Sequence, residues 1–106
     1  MDLSQTWFEV LPSAREVVNF LQEHAKAKSV RIRCKCDITK PVFSDQSKFQ
    51  QLLINLITNA IKHAPRGSVI NVELRYNASL DFLCVKVTDA GPGFARLEDI
   101  EFLFKP

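Results

Sequence analysis

The chain has 106 residues, 46% hydrophobic and 25% charged, with a formal net charge of +2. This composition describes one soluble globular domain, residues 1–106, and leaves no room for a second. No apolar run reaches the roughly 18 residues of a membrane span and no signal-peptide pattern opens the chain, so the segment is expected in the cytoplasm without membrane contact, whether or not a parent protein is anchored; the near-neutral balance does not require nucleic acid.

Residues 1–6 are polar, and Trp7, Phe8, Val10 and Leu11 form an apolar lead-in, read as a short strand or a packed extended arm. Pro12 and Ser13 then open a predicted helix, with Ser13 and Glu16 spaced as a capping box. Val17, Val18, Phe20, Leu21 and Ala25 are its expected buried side, and Lys26 and Lys28 suit its carboxyl end, where the helix dipole is negative. From Val30 to Asp37 the hydrophobic period changes to two, predicting a strand with Arg31, Arg33 and Lys35 on a solvated face. Cys34 and Cys36, on the other face, are badly placed to bridge each other; with Cys84 they fit a reducing compartment better than a disulfide framework or a metal site. Pro41 restricts Val42 and Phe43 to a short strand or an extended approach to the next helix.

That helix, Asp45 to Ala64, is the strongest local signal. Asp45 is the expected N-cap, and Phe49, Leu52, Leu53, Leu56, Ile57, Ala60, Ile61 and Ala64 recur at helical spacing. Lys48, Gln51, Asn55, Asn59 and Lys62 fall on the opposite side, with His63 at the border. Asparagine inside a solvated helix is less favourable than alanine by roughly half a kcal/mol, so two of them one turn apart invite a reason. Their amide oxygens and the Lys62 ammonium could hold a hydrated cation and its anion, or the stripe could be an ordinary solvated face. Pro65 to Gly67 end the helix.

Ser68 to Tyr76 and Phe82 to Thr88 alternate as the two arms of an antiparallel hairpin. The helix, strand, strand, helix, strand, strand order predicts an α/β two-layer sandwich (α+β), a mixed sheet covered on one face by helices. The last strand runs into Asp89, Gly91, Pro92, Gly93 and Phe94. A carboxylate there can accept hydrogen bonds from an exocyclic amine, and glycines leave room for a flat base; a plain turn has the same composition.

Taken together, QQLLINLITNAIKHAP resembles the N box, and VTDAGPGF the G1 box, of the ATP-binding catalytic domain of sensor histidine kinases, within the group that includes gyrase, Hsp90 and MutL ATPases. The likeness begins near Trp7. It implies Asn59 as the ligand of a Mg²⁺ that bridges the phosphates of ATP, with Asn55 in support and Lys62 and His63 near the nucleotide. Asp89 would accept from the adenine amine, and Gly91 and Gly93 would shape the adenine pocket and the lid. In the gyrase and Hsp90 type a glutamate stands one turn before the metal-binding asparagine; here that position is Asn55, whose amide cannot take a proton from water, which suits phosphoryl transfer rather than hydrolysis.

The resemblance further implies, in the intact protein, a histidine-bearing dimerisation domain and a response regulator as partners. LEDIEFLFKP resembles the start of the F box; the G2 box and a phosphoacceptor histidine are expected to be missing, His24 lying within the first helix. A non-catalytic nucleotide-binding or interaction module is the alternative. Without further strands, the segment bearing Leu83, Val85 and Val87 is expected to present an unpaired edge.

Overall fold

A computed structural model describes residues 5–77, 82–90 and 100–104. Its elements run β1 (Gln5–Phe8), α1 (Val10–Ala27), β2 (Arg31–Cys36), β3 (Val42–Asp45), α2 (Gln46–His63), β4 (Val69–Asn77), β5 (Phe82–Ala90) and β6 (Ile100–Phe104). The four-stranded sheet has the order β2-β4-β5-β6, with β2 parallel to β4 and the other pairs antiparallel. β1 and β3 pair antiparallel as a separate ribbon. The α/β two-layer arrangement with a mixed sheet is thus present.

Strand alternation explains where the core lies. Ile32, Ile70, Val72, Leu74, Leu83, Val85 and Val87 are buried on one sheet face, while Arg31, Arg33 and Lys35 are exposed on the other. α1 packs on β2 and on α2, and α2 packs on β5 and β4. Phe49, Leu53 and Ile57 of α2, one and two turns apart, are fully buried.

Three expectations need correction. α1 starts at Val10, with Glu9 as N-cap and no side-chain cap, so Ser13 and Glu16 do not form a capping box. Pro12 falls in the first helical turn, where a missing N–H is tolerated. Ser13 is instead buried between the helices: Gln46 Nε2 donates to its Oγ at 3.0 Å and Gln50 Nε2 to its carbonyl at 3.1 Å. Phe20, expected inside, is 70% exposed: the buried stripe runs through Val10, Ala14, Val17, Val18, Leu21 and Ala25, and at about 100° per residue Phe20 falls to one side of it. Nor is β5 an edge, because Leu83 to Val87 pair in register with Phe104 to Ile100 of β6.

Cys34, Cys36 and Cys84 are free thiols. Burial pushes the Cys34 thiol above its ordinary range, with the neighbouring Cys36 adding to the rise and Arg15 opposing it. Burial likewise raises Cys36, opposed by a hydrogen bond with the Ile38 backbone and reinforced by Asp37. Such thiols stay protonated near neutral pH and are weak nucleophiles and metal ligands. Among the described residues no group of three or more His, Cys, Asp or Glu could hold a metal, and no helix is long and apolar enough to cross a membrane.

Candidate functional site

The site is built from α2 and the end of β5. Asp45 caps α2: its Oδ1 accepts the Lys48 amide at 3.0 Å, satisfying one of the orphan donors of the first turn. That cap and the buried Phe49, Leu53, Leu56, Ile57 and Ile61 fix the rotation of the helix on the sheet. Lys48, Gln51, Asn55, Asn59, Lys62 and His63 are consequently exposed on one continuous side. Within it Gln51 Nε2 donates to Asn55 Oδ1 at 3.2 Å, a one-turn contact that orients the Asn55 amide.

The other half is Asp89. Its register partner is Ile70, which is fully buried, so the pleat places Asp89 on the helix-covered face of the sheet. Asp89 is only 8% exposed, and its Oδ1 is buried with no hydrogen-bond partner among the described residues. A buried acceptor without a donor costs about 1–3 kcal/mol, which makes this atom unusual in an otherwise apolar face. An incoming N–H donor would relieve that cost. The residue types therefore fit a ligand that presents an amine to Asp89 and a metal-associated anion to the amide and ammonium groups of α2.

Of the predicted site residues, Asn55, Asn59, Lys62 and His63 share the exposed side of α2, and Asp89 terminates a strand on which α2 packs. Gly91 and Gly93 lie outside the described residues. Two clefts of about 570 Å³ each occur elsewhere, one lined by Trp7, Ile38, Pro41, Phe43 and Tyr76, the other by residues of α1 and the turns near Ser29 and Gly67; neither is lined by a predicted site residue.

A family model described as histidine kinase-, DNA gyrase B-, and HSP90-like ATPase matches residues 44–106. The non-motile and phage-resistance protein of Caulobacter vibrioides is 35% identical over 95 residues, 88% of this chain and 11% of that protein. The autoinducer 2 sensor kinase/phosphatase LuxQ of Vibrio harveyi is 31% identical over 104 residues, 93% of this chain and 12% of LuxQ. The chain thus spans about a tenth of the length of these two relatives. Among solved structures, the catalytic domain of histidine kinase ThkA superposes with a TM-score of 0.73 at 24% identity, over 91% of this chain and 64% of that one. ThkA in complex with the response regulator protein TrrA matches with a TM-score of 0.71 at 26% identity, over 85% of this chain and 27% of that one.

Proposed function

The chain belongs to the histidine kinase-, DNA gyrase B- and HSP90-like ATPase family, and from that premise we propose that it is the Mg-ATP-binding part of a protein histidine kinase in two-component signalling. The observation that carries this reading is the buried Asp89 Oδ1 at the end of β5, which has no hydrogen-bond partner among the described residues. The adenine amine is the donor it awaits. Asn59 would hold Mg²⁺ with Asn55 in support, and Lys62 and His63 would face the phosphates from the same side of α2. The metal would neutralise phosphate charge, and the protein's part in the transfer is positioning.

Asn55 directs the chemistry within that family. Its amide has no basicity near neutral pH, and its oxygen is already engaged by Gln51. ATP would therefore be kept from water until a histidine on another domain accepts the γ-phosphoryl group. The LuxQ likeness and the ThkA–TrrA complex support a sensor kinase setting, with a response regulator as the downstream partner.

Calorimetric titration with Mg-ATP tests the assignment. The wild-type chain should bind saturably, and Asp89→Asn should weaken binding at least about tenfold, because a hydrogen bond to a charged group is worth roughly 1.5–3 kcal/mol. Unchanged affinity in Asp89→Asn would reject the site. Binding without phosphoryl transfer, even with an acceptor domain supplied, would favour the non-catalytic module.

A further inference from the structure

Resting on the nucleotide reading above, we propose that Lys28 is a positioning residue that holds the phosphate-facing end of α2. The need for it arises from Pro65. In a continuing helix the Ile61 carbonyl would accept from the amide of residue 65, and proline has none. Ala64, at φ −71° and ψ 133°, leaves the helix after donating to the Ala60 carbonyl at 2.8 Å. The next two carbonyls, Ile61 and Lys62, are therefore orphans of the helix end.

Lys28 takes both. Its Nζ donates to the Ile61 carbonyl at 2.7 Å and to the Lys62 carbonyl at 2.6 Å, which are short, charge-assisted bonds. The ammonium also stands at the negative end of the α2 dipole. Lys28 is itself fixed as the C-cap of α1, its amide bonded to the Ala25 carbonyl at 3.0 Å. Beside it, Ser29 adopts a left-handed φ of 59°, and its carbonyl accepts the Gly67 amide at 2.7 Å; Gly67 itself sits at φ 84°. The Arg31 amide donates to the Ser68 carbonyl at 3.2 Å. The turn after α1 thus grips the turn after α2 on both sides of Pro65.

This clamp bears on the site because Asn59, Lys62 and His63 occupy the last two turns of α2. The side chains of Lys62 and His63 are exposed and make no hydrogen bond among the described residues, so nothing of their own holds that end. The backbone grip of Lys28 does. Loss of Lys28 should let the last turn fray and misplace the phosphate contacts, while Asp89, on a strand, stays where it is.

The test is titration of the whole chain with Mg-ATP and, separately, with adenosine, for wild type, Lys28→Met and Lys28→Arg, together with hydrogen exchange at the Ala64 amide. Lys28→Met should weaken Mg-ATP about tenfold through the lost charged bonds, speed exchange at Ala64, and leave adenosine affinity unchanged. Lys28→Arg should restore both readouts, because its guanidinium supplies several donors. Equal losses for both ligands would mean general destabilisation and overturn the proposal, as would intact Mg-ATP binding in Lys28→Met. A wild-type chain that takes up neither ligand overturns the nucleotide reading and the positioning role with it, an outcome distinct from failure of Lys28 alone.

Discussion

Asp89 is where stability and the proposed nucleotide contact pull against each other. Its buried Oδ1 has no donor among the described residues, a state that weakens the ligand-free fold, whereas a nearly isosteric apolar group would not. Asp89→Leu is therefore expected to raise the unfolding free energy of the ligand-free chain by about 1 kcal/mol and to eliminate nucleotide binding. Urea denaturation beside calorimetric titration checks both halves. A destabilised Asp89→Leu chain would mean that the carboxylate is satisfied in the folded state, and the argument for an awaited donor would fall. The position of Asp89 at a strand end was legible in the sequence, because Val85 and Val87 set the alternation that leads to it. Its lack of a partner among the described residues was not, since that depends on every side chain brought near it by the pairing of β4 with β5.

At the scale of the element, α2 was legible almost to the residue because independent signals agree. The Asp45 cap, the stripe from Phe49 to Ile61 and the Pro65 break each point to the same boundaries, and the helix runs from Gln46 to His63. α1 was legible in kind but not in its start. Pro12 and Ser13 mimic a helix opening, yet the helix begins before them at Val10, which is buried as part of its stripe, and the core outweighs the local cap. Phe20 was misplaced for a different reason: its apolar character suggested burial, whereas at about 100° per residue it lies beside the stripe of Ala14, Val17, Val18, Leu21 and Ala25. A cap used by the structure can be told from a cap merely suggested by sequence. Asp45→Ala should cost about 1 kcal/mol, read as a lower urea midpoint at unchanged slope, because Asp45 Oδ1 holds the Lys48 amide. A change of slope instead would mean that the helix start, and not only its cap, had been altered.

Across the whole molecule the mixed sheet was readable from element order, whereas β6 was not. Ile100, Phe102 and Phe104 are good strand formers, but a five-residue stretch does not say by itself which strand it pairs with, and its partner β5 lies more than ten residues earlier. The β1–β3 ribbon is the part whose attachment to the rest can be tested most directly. Its exposed face bears Trp7, the chain's single tryptophan, 67% exposed and 5.4 Å from the ring of Phe43. Its buried face bears Phe8, which is 6% exposed and lies 5.6 Å from the Phe49 ring of α2. The ribbon is thereby coupled to the helix that carries the candidate site, since β3 also runs straight into α2 through Asp45. In the wild type, urea unfolding followed by Trp7 fluorescence should coincide with that followed by far-ultraviolet circular dichroism. Phe8→Ala removes a buried aromatic, a change that typically costs about 3–5 kcal/mol, and removes the ribbon's ring contact with α2. Its Trp7 transition should move to lower urea than its dichroism transition, as expected of a segment that opens locally before the core. Coincident transitions in Phe8→Ala would show that β3 and the Asp45 junction suffice to hold the ribbon, and would shift the coupling from the aromatic contact to the continuous backbone.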